Sequence, residues 1–273
     1  MHNAKAALLQ SPGQSLVSSY RVEAGADLPY GVRVGCKGIA FMEFFGDHRL
    51  EGRDLGCQRG GRLVFDRLDF TLASGGVLIL KGPNGSGKSS LLRTMATLVR
   101  PVRGALLWDG APVADDPQAH AGNLHYVGHA DAAKPAMTAE ELLTFWSGMR
   151  GGNGMPVAAA LEHFGILHRA DFPARYLSSG QKRRLALARL LVSEAPLWIL
   201  DEPTVGLDVD GVSALEAAIA THRSRGGMIV AATHIQFEAG DDVSELDLRA
   251  FEPSAADLDA AYGALGAAFG DAS

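Results

Sequence analysis

Residues Gly82 to Ser89 read Gly-Pro-Asn-Gly-Ser-Gly-Lys-Ser, a full match to the phosphate-loop pattern G-x-x-x-x-G-K-[ST]. The chemistry such a loop serves is the binding of nucleotide phosphates. Gly82, Gly85 and Gly87 free the backbone to curl its N–H groups around an anion, with Pro83, Asn84 and Ser86 between them. The helix that starts there adds the positive end of its dipole. Lys88 brings a full charge to the β- and γ-phosphates. The Ser89 hydroxyl can ligate Mg²⁺, and Ser90 places a second hydroxyl beside it.

A second constellation lies on Leu197-Trp198-Ile199-Leu200-Asp201-Glu202, an apolar run that ends in two carboxylates. Neighbouring side chains on a strand point to opposite sides. Asp201 can therefore hold Mg²⁺ through its water shell while Glu202 polarises an attacking water, the division of labour that phosphoryl transfer needs. Upstream, Leu177-Ser178-Ser179-Gly180-Gln181 opens a helix that continues through Leu185, Ala188 and Leu191, a second helix N-terminus suited to an anion. Gly206-Leu207-Asp208 and Thr233-His234 complete the polar clusters.

The elements that must position these groups follow from pattern. Val77 to Leu80 reads as a buried strand feeding the loop, and Leu91, Leu92, Met95, Ala96 and Val99 share one face of the helix after it. Before the loop, Leu63-Val64-Phe65 predicts one strand and Leu68, Phe70 and Leu72 a second, half-buried one. The folded domain is expected to begin at Asp54 and run to residue 273. Leu106-Leu107-Trp108 predicts a further strand, turned at Asp109-Gly110. A helical insert is expected over about residues 136–176. Thr138 and Glu141 form a capping box there, with Leu142, Phe145, Trp146 and Met149 as core at helical spacing, and a second helix starts at Pro156. Strands at Leu197–Leu200 and Met228–Ala232 flank a helix carrying Val212, Leu215 and Ile219. The fold class is α/β, a P-loop nucleotide hydrolase core with an antiparallel β edge and a small α-helical insert.

Composition excludes other classes. With 25 Lys and Arg against 31 Asp and Glu, a net charge of −6 and no basic run longer than Lys182-Arg183-Arg184, the chain lacks a stripe for tracking nucleic acid. Two cysteines, Cys36 and Cys57, do not have metal-ligand spacing. No apolar run approaches the roughly 20 residues of a spanning helix.

Taken together and in this order, the phosphate loop, the Ser178 segment, the Asp201-Glu202 strand, Gly206-Leu207-Asp208 and Thr233-His234 resemble an ATP-binding-cassette ATPase over about residues 54–235. The resemblance implies ATP and Mg²⁺ as cofactors and a homodimer of cassettes. Ser178 and Gly180, with Gln181 behind them, would touch the γ-phosphate of an ATP held by the other copy. Asp208 would lie near that interface, and His234 would contact the γ-phosphate and orient the water. Three positions depart from the family pattern: Ser179 replaces a glycine, Ala130 stands where a glutamine is expected after Tyr126-Val127-Gly128-His129, and Cys57, Gln58 and Arg59 occupy the place of an adenine-stacking aromatic. Arg59 can stack in its stead.

Within the family, Arg62–Phe70, Gly82–Arg93 and Tyr126–His129 with Lys134-Pro135 look like the ATP-binding subunit of the haem exporter of cytochrome c maturation. That likeness implies integral membrane permease partners and a place on the cytoplasmic face of the bacterial inner membrane. A motor for another substrate, or a soluble assembly ATPase, would carry the same ATP-binding residues. Residues 1–50 show no sustained period and are expected to be a poorly ordered extension; with Met42 just ahead of the first clear strands, the first 41 residues are expected to be dispensable.

Overall fold

The computed structural model describes residues 45–128, 133–233 and 242–253, and before them the backbone of three short strands. It divides into two units, Met1–Gly46 and Asp47–Ser273. In the first, β1 (Tyr20–Arg21), β2 (Val32–Val34) and β3 (Ile39–Met42) pair antiparallel in the order β1-β3-β2. Strands of two to four residues are too short to display a period, so the sequence gives no sign of them.

The second unit begins with β4 (Arg49–Arg59) and β5 (Arg62–Ala73), joined by a turn in which Gly60 and Gly61 both have positive φ. Its first strand thus starts at Arg49, ahead of Asp54. Register shifts between Gly52 and Leu55, Leu55 and Cys57, and Cys57 and Gln58 break the alternation of β4, which hides it in the sequence. The two expected strands after it are one, with Arg67 at φ 53° marking the irregularity between them. Then follow β6 (Val77–Lys81), α1 (Lys88–Met95), β7 (Arg103–Trp108), β8 (Ala111–Pro112), α2 (Pro117–Gly122) and β9 (Leu124–Val127). The insert contains α3 (Ala139–Met149) and α4 (Val157–His163), and the chain continues through α5 (Ser179–Ala188), β10 (Leu197–Asp201), α6 (Val209–Ser224), β11 (Met228–Ala232) and β12 (Val243–Asp247).

Two sheets result. One is parallel, in the order β12-β6-β11-β10-β9; the other is antiparallel, in the order β5-β4-β7-β8. The apolar runs of the parallel sheet serve two cores at once, because successive side chains point to opposite faces. Val77, Ile79, Trp198, Leu200, Ile229 and Ala231 pack with Leu142, Leu161, Phe164, Leu187 and Leu215 of the insert, α5 and α6. Leu78, Leu80, Leu197, Ile199, Met228 and Val230 pack with Leu91, Leu92 and Met95 of α1 and with Leu50, Phe65 and Phe70 of the antiparallel sheet. Helix α1 is thereby wedged between the sheets, and this fixes the loop that precedes it. On α3 the expected core narrows: Leu142 and Leu143 are buried, but Phe145 and Met149 are 43% and 64% exposed. Among the described residues, no helix is long and apolar enough to cross a membrane.

Three buried histidines make this core sensitive to acid. His125 on β9 donates from Nε2 to Ser193 O at 2.9 Å, His222 on α6 stacks on Trp198 with ring centroids 4.0 Å apart, and His120 donates to Met95 O at 2.9 Å. Desolvation, reinforced by Arg150, pushes the His125 ring down to about 3; desolvation pushes His222 down to about 4 and lowers His120. Each ring is held neutral in the fold but takes up a proton near pH 6.5 once unfolded. The stability they protect is complete above that pH and is lost as pH falls toward the folded values, at about 2 kcal/mol each for His125 and His222 by pH 5. Urea melts at pH 8 and pH 5 should show this loss, and His125→Asn should flatten the dependence.

Candidate nucleotide-binding and hydrolysis site

The phosphate loop spans the end of β6 and the start of α1, at the carboxyl edge of the parallel sheet, where open α/β sheets bind ligands. Its glycines are required by geometry. Gly82, Gly85 and Gly87 have φ of 132°, 87° and 100°. A Cβ on Gly82 would come within 2.6 Å of Ser86 Oγ, and one on Gly87 within 2.7 Å of Val64 Cγ1. Lys88 Nζ donates to Gly82 O at 2.7 Å and Pro83 O at 2.9 Å, so the ammonium lies over the loop. Pro83, Asn84 and Gly85 are exposed, whereas Ser86 is buried with an Oγ that has no hydrogen-bond partner among the described residues. Ser90 is half-buried one residue beyond Ser89.

The carboxylates meet the loop across the sheet. Ser89 Oγ donates to Asp201 Oδ1 at 3.2 Å, while Asp201 is 2% exposed and its Oδ2 is buried without a partner among the described residues. An ionised carboxylate in that setting calls for a cation or an ordered water. The donor set of one hydroxyl and one carboxylate fits a Mg²⁺ that keeps most of its water shell. Glu202 follows at φ 48°, a left-handed backbone that a non-glycine residue adopts at a cost of about 1–3 kcal/mol. Its N–H donates to Ala232 O at 2.8 Å, and its side chain is half-buried just past the end of β10.

Helix α5 opens with a full capping box. Ser178 Oγ accepts from Gln181 N at 3.2 Å, and Gln181 Oε1 accepts from Ser178 N at 3.0 Å. Ser178 and Ser179 are exposed, which leaves this helix end open to a ligand from outside. Gly180 has a steric reason: a Cβ there would meet Gly206 O at 2.9 Å. Asp208 caps α6, accepting from Gly211 N at 2.9 Å, and pairs with Arg184. The Gly211 N–H, and then Arg184, hold its carboxyl below the usual range. Around it Val205 and Val209 are 53% and 81% exposed. Thus Gly82–Ser90, Asp201 and Glu202 gather at one strand edge, and the Ser178 segment and Asp208 form a separate exposed group.

A scan against family models matches residues 65–205 to the ABC transporter family. The chain belongs to the ABC transporter family of ATP-binding cassettes. As a cassette of that family it is an ATPase, and its α/β core with an antiparallel edge and helical insert is the cassette fold anticipated from the sequence. Curated relatives include the cytochrome c biogenesis ATP-binding export protein CcmA of Paramagnetospirillum magneticum, 50% identical over 69% of this chain and 88% of that protein. The protein of the same name from Rhodospirillum rubrum is 51% identical over 75% of this chain and 88% of its own length. Among solved structures, an ATP-binding subunit of an ABC transporter superposes with a TM-score of 0.65 at 25% identity, covering 78% of this chain and 93% of that one. A putative ABC transporter ATP-binding protein from Pyrococcus furiosus gives 0.64 at 25% identity, over 75% and 100%.

Of the other expected cassette residues, His234 and Ala130 lie outside the described residues. At the place of an adenine-stacking side chain, Cys57 is fully buried, desolvation raises its thiol, and Gln58 Nε2 donates to Gly61 O at 3.0 Å. Arg59 is exposed at the end of β4.

The arginines in and just after α5 have a role that no motif marks. Arg183 is 5% exposed, and Arg189, next after the helix, donates to Tyr126 O with its guanidinium 5.2 Å from the Trp146 ring. A signal was available: Arg183 precedes buried Leu187 by one helical turn, a cation on the inward face.

Proposed function

We propose that this cassette hydrolyses ATP to drive an export step of cytochrome c biogenesis, with haem as the cargo. The observation that carries the ATPase mechanism is the meeting of Lys88, Ser89, Asp201 and Glu202 at the carboxyl ends of β6 and β10. The relatives named as export proteins of cytochrome c biogenesis, near 50% identity over most of their length, support the pathway. Mg²⁺, held by Ser89 and through water by Asp201, would neutralise charge on the β- and γ-phosphates. Lys88 and the loop's N–H groups bind and orient the phosphates. Glu202 orients and polarises the water, and His234 would contact the γ-phosphate.

We further propose that two copies sandwich two ATPs. The open N-terminus of α5, bearing Ser178 and Gly180, would complete the site whose phosphate loop belongs to the other copy. Val205 on the turn before α6 and Val209 at its first position are exposed beside Asp208 and support an interface there, since apolar side chains this open gain from a partner. Integral membrane permease subunits would be the partners of the cassette pair. The cassette would then sit on the cytoplasmic face of the inner membrane.

Glu202→Gln should bind ATP with near wild-type affinity yet turn over about 100-fold slower or worse. Lys88→Ala should instead lose phosphate binding itself. Turnover in Glu202→Gln equal to wild type, measured in the assembled complex, would remove Glu202 from this role.

Mixed dimers of Lys88→Ala and Ser178→Arg subunits retain one intact composite site and should exceed either mutant homodimer in activity. A mixture no more active than the homodimers speaks against shared sites. The cargo is tested by purification from membranes: a haem-binding membrane protein is expected to accompany this chain, and its isolation with soluble scaffold proteins alone would favour an assembly ATPase.

A further inference from the structure

The buried guanidinium of Arg183, on the second turn of α5, is spent on strand ends. Nη1 donates to Gly128 O at 2.8 Å, Nη2 to Asp201 O at 2.9 Å and to Glu202 O at 2.7 Å, and Nε to Pro203 O at 3.2 Å. Gly128 directly follows β9, Asp201 is the last residue of β10, and Glu202 and Pro203 belong to the turn after it. One side chain thus ties the helix to two chain segments at the edge of the parallel sheet. Charged donors to buried carbonyls are stronger than neutral ones, and the planar fork sets the direction of each bond.

Glu202 is fixed on both sides as a result. Its N–H is held by Ala232 O of β11 and its C=O by Arg183 of α5. Its left-handed φ of 48° is a conformation that persists only where the surroundings impose it. With both peptide groups anchored, the Cα–Cβ direction of Glu202 is set by where α5 stands. The same helix presents Ser178 at its exposed end.

We infer that Arg183 is the positioning residue for Glu202, coupling the orientation of the water-polarising carboxylate to helix α5. Resting on the proposed roles of Glu202 and of the Ser178 helix end, this makes hydrolysis at one ATP depend on the helix that meets the other. Arg183 itself touches no reacting atom. Its action is on geometry, where a displacement of about 1 Å can cost on the order of 100-fold in rate.

The test uses the intact transporter complex with Arg183→Gln and Arg183→Lys, alone and combined with Glu202→Gln. In Arg183→Gln, kcat should fall about 10- to 100-fold while the affinity for a fluorescent ATP analogue stays within about twofold, a loss of transition-state orientation without loss of binding. Arg183→Lys, which keeps the charge and some of the bonds, should recover part of the rate. On the Glu202→Gln background, Arg183→Gln should change the residual rate by less than about twofold, because the group it positions is already gone. The proposal is overturned if the Arg183→Gln loss multiplies fully onto Glu202→Gln. It is also overturned if affinity, melting temperature and kcat fall together without recovery by lysine. Should Arg183→Gln fail to fold, Arg183→Lys carries the same split between kcat and affinity. Wild-type turnover in Glu202→Gln would condemn the assignment of Glu202; a slow Glu202→Gln with a fully multiplicative Arg183→Gln condemns only the role of Arg183.

Discussion

A carboxylate buried at the end of an apolar strand is the constraint on which the rest of this structure depends. Every residue of β10 from Leu197 to Asp201 is buried, and Asp201 keeps one oxygen against Ser89 and the other without a partner among the described residues. Left alone, that charge costs several kcal/mol of desolvation. The cost is offset where a cation and a polyanion join it, so the site stores a preference for the metal-nucleotide complex in its own construction. A chain of net charge −6 must draw such a ligand in with local donors rather than with its overall field. The loop's backbone N–H groups, Lys88 and the start of α1 supply them.

Precision then comes from layering. Helix α1 lies between the parallel and antiparallel sheets, packed through Leu91, Leu92 and Met95. The apolar alternation of β6 serves both cores, so a shift of the strand by one residue would exchange Leu78 and Leu80 for Val77 and Ile79 at each interface. Such a slip is opposed from both faces. The phosphate loop hangs between two elements that cannot slide, and this is why its glycines can adopt conformations that would be strained in any other residue. Rigidity of the flanks is what makes the loop's permissive backbone useful.

How far the sequence told this story depended on whether a physical signal was local. The phosphate loop, the Asp201-Glu202 strand, the Ser178 helix end and the capping box at Thr138 are each written in a few adjacent residues, and the structure places each on the element expected. Strand β4 was missed because its bulges spoil the alternation over Gly52 to Gln58, and β12 because an edge strand reading Val-Ser-Glu-Leu-Asp needs no continuous apolar face. Phe145 and Met149 sit at core spacing but on a side of α3 that this chain leaves open. Periodicity says that a face is apolar, not which molecule covers it. In the sequence Arg183 stands out only as a member of the short basic run Lys182-Arg183-Arg184, since a sequence does not show carbonyls converging from residues 128 and 201–203. Its partners are separated from it by 55 and by 18 to 20 residues, a tertiary fact without a local mark.

The arginines around α5 explain why that helix can act as a connector. Its buried apolar side chains, Leu185, Leu187 and Ala188, hold it on the sheet without dictating a fine rotation, since hydrophobic contact has little direction. Direction comes from the polar ties. Arg183 binds the strand ends, Arg184 donates to Phe164 O at the end of α4 and pairs with Asp208, and Arg189 reaches Tyr126 O on β9 beneath the Trp146 ring of α3. A rotation of α5 that kept its apolar contacts would still break bonds to the insert, to the start of α6 and to the edge of the parallel sheet, and at the sheet edge each buried group left unpaired costs about 1–3 kcal/mol. The least costly motion is one in which those segments follow the helix. Through such ties, a force applied at the insert or at the Ser178 end would reach Glu202 as a change of angle, without any need to disturb the core between them.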